Sequence, residues 1–133
     1  MRNSENVFHL AIACKELDET QEFYVNKLGC QLARRYSDRV TFNFFGDQLV
    51  CHLAPDKVDQ SPQIYPRHFG VTFKRKEDFE TLLKLAKERD IEFFQELTVR
   101  FPDKTEKHLT FFLKDPSNNL LEFKFYEDSQ MMY

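Results

Sequence analysis

Alternation with a period of two, repeated in four places with the same parity, is the feature that most restricts what this chain can fold into. In residues 7–13 (VFHLAIA), Phe8, Leu10 and Ile12 fall on one side of an extended backbone and His9 falls on the other. Residues 49–53 (LVCHL), 68–73 (HFGVTF) and 121–125 (LEFKF) repeat the arrangement, setting His52, His68 and Glu122 apart from an apolar set. Each stretch is expected to be a strand that buries one face and presents one imidazole or carboxylate on the other. Three histidines and a glutamate on like faces of four strands make a candidate metal site.

The segments between these strands give the architecture. Asp18 stands three residues before Gln21, a helix-start pattern, and Phe23, Tyr24 and Leu28 continue at helical spacing to Gly29, so a helix is expected over about 18–28. Short extended pieces at about 31–36, 40–45 and 48–54 follow, separated by turns at Ser37-Asp38 and Gly46-Asp47. After a polar segment, 55–66, that holds two prolines, the order restarts. The 68–73 strand precedes a helix over about 77–89, with Phe79, Leu82, Leu83 and Ala86 on one face, and extended stretches follow near 92–99, 108–113 and 119–125. The last two are joined by the turn 115–119 (DPSNN). The expected fold is α+β: a single domain, 1–133, of two βαβββ modules at about 7–54 and 67–127 with a linker at about 55–66.

Composition narrows the function classes. A chain of 133 residues that is 41% hydrophobic, with 15 phenylalanines, can bury one core. Nineteen basic residues are interspersed with 22 acidic ones for a net charge of -3, which offers no field for nucleic acid or an anionic membrane. No apolar run approaches the roughly 18 residues of a membrane span, and residues 1–6 (MRNSEN) lack the apolar core of a signal peptide, so a cytoplasmic protein is expected. Cys14, Cys30 and Cys51 are odd in number and contain no C-x-x-C pair, which points to reduced, buried thiols.

The repeated module, the piece 23–29 (FYVNKLG) and the piece 115–122 (DPSNNLLE) together resemble the vicinal-oxygen-chelate superfamily of glyoxalases, bleomycin resistance proteins and extradiol dioxygenases. The resemblance covers nearly the whole chain. It implies curved mixed sheets that form a metal cup, with ligands from the first and fourth strands of each module: His9 and His52 from one, His68 and Glu122 from the other. It also implies a small-molecule substrate and a homodimer; in much of the family each cup is completed by the partner chain, and the 55–66 linker is long enough to permit closure within one chain or across the dimer. His108 shares the parity of Thr110 and Phe112, so His108 and His52 are the candidates for moving a proton. Arg67, Lys74 and Lys124 fall near or on the cup side, a set suited to an anionic substrate.

Imidazole and carboxylate ligands suit Zn, Ni, Co, Mn or Fe(II), and ligand type alone does not choose among them. Four protein ligands on an octahedral ion leave two positions for neighbouring substrate oxygens, which favours Lewis-acid isomerase or lyase chemistry. Ring-cleaving dioxygenases need three open positions, an acid-base histidine where this chain reads Gln48-Leu49, and a tyrosine where it has Phe112. Glyoxalase I carries a carboxylate at the position of His52. The third alternative is a metal-free protein that sequesters an aromatic drug, as bleomycin-resistance members do.

Overall fold

The computed structural model describes residues 3–133; Met1 and Arg2, the start of the polar segment read above, lie outside the described residues. The chain divides into two compact units. Of the described residues, one comprises 3–61 with Pro116–Asn119, and the other Pro62–Asp115 with Leu120–Tyr133.

The first unit has the order β1 (His9–Cys14), α1 (Leu17–Gln21), β2 (Gln31–Arg35), β3 (Arg39–Phe44) and β4 (Asp47–Leu53). Its sheet runs β1-β4-β3-β2, with β1 parallel to β4 and the other pairs antiparallel. Partners across a ladder share a face, so Leu10 and Ile12 lie with Leu49 and Cys51, and these with Phe42 and Val40. Against that face packs the helical segment: the Tyr24 ring stacks on Phe42 at 5.0 Å, and both are buried. Aromatic contacts of this kind add about 1 kcal/mol each to what burial supplies.

The helix differs from its expected form at both ends. Its N-cap is Glu16, not Asp18: the Glu16 carboxylate accepts from Asp18 N at 2.9 Å and Glu19 N at 2.6 Å. Asp18 turns outward to Arg35 Nη2 at 2.7 Å. From Glu22 to Lys27 the coil widens to a π-helix, with Leu28 N donating to Phe23 O at 2.8 Å, and Gly29 then supplies the stop at φ 87°.

The second unit repeats the order with β5 (Phe69–Phe73), α2 (Lys76–Glu88), β6 (Phe93–Arg100), β7 (His108–Lys114) and β8 (Leu120–Tyr126). The sheet runs β5-β8-β7-β6, again with only the first pair parallel. Phe79 of α2 meets Phe111 at 5.3 Å, and Phe111 meets Phe123 at 5.5 Å, which defines the core face. The opposite face carries His68 and Gly70, Glu122 and Lys124, and Phe112, Thr110 and His108. The two sheets with their helices are the expected βαβββ modules of a glyoxalase-like α+β fold. No helix among the described residues is long and apolar enough to cross a membrane.

Candidate metal centre

In the second unit the structure brings His68 and Glu122 together. His68 Nε2 stands 3.1 Å from Glu122 Oε2, with the two side chains only 24% and 11% exposed. The pairing follows from topology: β5 lies parallel to β8 with Gly70 opposite Glu122, and His68 enters just before β5 on the same face. Gly70 makes this approach possible, since a Cβ there would fall 1.6 Å from the Glu122 carbonyl oxygen.

Neighbouring groups fix both side chains. Thr110 Oγ1 donates to Glu122 Oε1 at 2.9 Å, which leaves Oε2 turned toward His68. Lys124 Nζ lies 3.3 Å from the same Oε2. His68 Nδ1 is 2.6 Å from the Ile64 carbonyl oxygen, so Nδ1 carries the proton and Nε2 is a lone pair when the ring is neutral. Phe112 packs edge-on against the ring at 5.3 Å and Tyr65 at 6.0 Å.

A neutral Nε2 lone pair facing a carboxylate oxygen at 3.1 Å is repulsive unless a positive charge is shared between them. A proton on Nε2 would supply it. A divalent ion would as well: two adjacent ligands at about 2.1 Å from one ion at right angles stand about 3 Å apart, which is the separation observed. The donor pair therefore fits a borderline divalent metal.

In the first unit His9 is fixed in the same manner, its Nδ1 lying 2.5 Å from Gln48 Oε1, the residue paired with it across the β1–β4 ladder. Its Nε2 is thereby left as the available lone pair. His52 is placed differently. It pairs with Ala13 and Arg39, four residues along β4 from Gln48, which is about 13 Å of strand. His9 and His52 share a face but not a height, and the sheet does not bring them together.

The same offset separates His108 from Glu122. His108 pairs with Tyr126, four residues beyond Glu122 on β8, again about 13 Å. It is buried, its Nδ1 lies 2.9 Å from the Glu106 carbonyl oxygen, and its ring packs on Tyr126 at 4.6 Å and Phe101 at 5.9 Å. Thr110, Gln48, Tyr65 and the Ile64 carbonyl were not read as site groups in the sequence. Thr110 and Gln48 follow once the ladder registers are known, whereas Tyr65 and Ile64 lie in the irregular segment before β5, where periodicity is silent.

Among the described residues no group of three or more His, Cys, Asp or Glu side chains is gathered around one point. A cavity of about 350 Å³ opens in the first unit, but it is lined by Leu28, Gly29, Cys30, Gln31, Asn43 and Phe45 and by none of the candidate ligands. All three cysteines are buried thiols outside any disulfide, as expected.

Comparison with known proteins agrees with the fold. No curated protein matches the chain. A crystal structure of a glyoxalase/bleomycin resistance protein/dioxygenase from Alicyclobacillus acidocaldarius is 61% identical, with 100% of each chain covered and a TM-score of 0.96. Two more distant structures share the fold alone. A genomically encoded fosfomycin resistance protein from Listeria monocytogenes is 15% identical, covering 95% of this chain and 97% of that one at a TM-score of 0.72. A lactoylglutathione lyase from Agrobacterium tumefaciens is 17% identical, covering 90% and 92% at 0.68. The model of one family matches residues 6–123, and on that match the chain belongs to the Glyoxalase/Bleomycin resistance protein/Dioxygenase superfamily.

Proposed function

We propose that the protein is a divalent-metal-dependent enzyme that binds a small substrate through neighbouring oxygen atoms and performs isomerase or lyase chemistry. The observation that carries this reading is the His68–Glu122 pair, with Nε2 and Oε2 at the spacing of adjacent ligands and each side chain fixed by a further hydrogen bond. The family resemblance implies His9 as a further ligand, and its Nδ1, held by Gln48, leaves Nε2 available for that role. The register of β4 argues for leaving His52 out of the set. A bound Zn, Ni, Co, Mn or Fe(II) ion supplies Lewis acidity toward the substrate oxygens.

The chain's own residues do the rest. Thr110 holds one carboxylate oxygen so that the other keeps its direction, and buried Phe112 excludes water beside the imidazole. Lys124 presents an ammonium donor beside Glu122, placed to hydrogen-bond an oxygen on which negative charge develops. The three reduced thiols suit a cytoplasmic protein.

Metal loading under anaerobic conditions, followed by elemental analysis, tests the ligand set. One equivalent of metal is expected in the wild type and in His52→Ala, with at least a tenfold loss of affinity in Glu122→Gln. Retention of metal by Glu122→Gln, or its loss from His52→Ala, would overturn the set. Exchange of an α-proton on a 2-hydroxy or 2-oxo compound by the loaded protein supports the reaction class.

A second reading has its own observation. With His52 four residues from the level of His9, the proposed ligands reduce to two histidines and a carboxylate, the triad of Fe(II) oxygenases. Oxygen uptake with catechols after Fe(II) loading would establish that reading. Phe112, which cannot donate a proton, stands against it. Tight binding of an aromatic drug without metal would establish sequestration instead.

A further inference from the structure

On the polar side of the second unit, the ring of Tyr65 joins the His68–Glu122 pair to a second polar group. Tyr65 packs against His68, and its phenol oxygen accepts from Arg100 Nη2 at 3.4 Å. Arg100 closes β6, is half-buried, and shares its face with His108 through the ladder. Its contacts are the Tyr65 oxygen and the Phe101 ring, 5.6 Å below the guanidinium; no carboxylate pairs with it among the described residues. By contrast, Lys107 and Lys114 of this unit are paired with carboxylates, Glu127 at 3.2 Å and Glu92 at 2.8 Å. A half-buried guanidinium left with one neutral acceptor retains donors for a further partner.

We propose that Arg100 and Tyr65 form an oxyanion subsite, so that the substrate carries a carboxylate, phosphate or phosphonate group on the far side of the Tyr65 ring from the two oxygens presented to the His68–Glu122 pair. This deepens the reading of the same site as a metal-dependent enzyme and rests on it for the chelating half only. The fork of Arg100 meets two oxygens of a planar or tetrahedral anion, and the Tyr65 hydroxyl rotates to donate to the same group. Lys124 adds a second positive charge on this face, paired with Glu122 at 3.3 Å. Arg100 is a specificity-determining residue in this scheme, since it acts on a part of the substrate away from the reacting oxygens.

The test compares two probes that share an α-hydroxycarboxylate and differ in a remote phosphate: glycerate and 3-phosphoglycerate. Calorimetric titration into Mn(II)-loaded protein is expected to show the phosphate tightening binding about 10- to 100-fold in the wild type. In Arg100→Gln that gain is expected to fall below about 3-fold and in Tyr65→Phe to an intermediate value, with Mn(II) affinity unchanged in both. Arg100→Lys, which keeps the charge and loses the fork, is expected to restore part of the gain and serves if the glutamine variant does not fold. A wild type that gains nothing from the phosphate, or an Arg100→Gln variant with the full gain, would overturn the subsite. If the protein takes up no Mn(II), the metal reading fails separately. The subsite is then tested by NMR titration of inorganic phosphate into metal-free protein, where at least tenfold weaker binding in Arg100→Gln supports it and equal binding overturns it.

Discussion

An imidazole whose far nitrogen is tied to a carbonyl has no freedom to turn away from what its near nitrogen meets. His68 is held in this way by the Ile64 carbonyl, and His9 by Gln48, so each presents Nε2 outward. His108 is also tied through Nδ1, to the Glu106 carbonyl, but against aromatic rings and at the level of Tyr126, four residues from Glu122 along β8. The alternation in the sequence identified the right faces for all of these residues, because a period of two fixes the side of a sheet. It does not fix position along the strand: residues 48, 50 and 52 are equivalent by parity, and only the register shows that Gln48, not His52, lies beside His9. Cys30 makes a prediction at this scale. Burial pushes its thiol up to about 12. Above the ordinary thiol value of 9.0 the unfolded chain loses this proton while the folded chain keeps it. The stability attached to Cys30 is thus complete below about pH 9 and declines toward pH 12, with a slope approaching 1.4 kcal/mol per pH unit. Denaturant unfolding of wild type and Cys30→Ala between pH 8 and 11 checks this. The wild type should lose stability more steeply, and parallel curves would refute it.

Elements show the limits of local pattern more plainly. The succession of elements along the chain, the second helix and the stop at Gly29 were legible, since each depends on the chemistry of a few adjacent residues. The widening of the first helix at Glu22–Lys27 was not, because a π-helix and an α-helix differ by less than one residue per turn and place Phe23 and Tyr24 inward alike. Gly70 was also silent in the sequence, reading as an ordinary small residue within a strand. It is required by the closeness of two backbones: any side chain would strike the Glu122 carbonyl. Gly70→Ala must therefore push β5 from β8 and move His68 from Glu122, at a cost of about 3 kcal/mol or more and with loss of metal affinity. Gly46→Ala is the control. Its added methyl meets nothing within 4 Å, and only the φ of 92° opposes it, for about 1 kcal/mol and no change in metal binding. Thermal unfolding and metal titration of the two variants separate backbone contact from backbone strain. Equal effects would show that the Gly70 approach does not organise the site.

At the scale of the whole molecule, the repeat of one βαβββ plan in two compact units was the most legible fact, since it is written twice along the chain. Assembly was not written in the same way, because a strand edge carries no sequence period of its own. The structure identifies β6 as an outer strand, bonded to β7 on one side only. Leu97 and Val99, on the side of the strand away from Arg100, are each more than 40% exposed, and so is Phe101 just beyond it, whose ring meets the Arg100 guanidinium. A strand with one edge unpaired that presents apolar side chains to water invites pairing with another chain. We propose that a second copy covers it, giving the homodimer that the family resemblance implies. Sedimentation at micromolar concentration is expected to give twice the 16.0 kDa chain mass. The double variant Leu97→Asp, Val99→Asp places two like charges on that strand and is expected to sediment as a monomer, with its circular dichroism and Mn(II) affinity retained. A wild type that is monomeric with metal bound would remove the proposal, whereas a double variant that stays dimeric would move the interface to another edge. The choice of charges tests the edge itself, because a variant that unfolded would lose its dichroism along with its dimer.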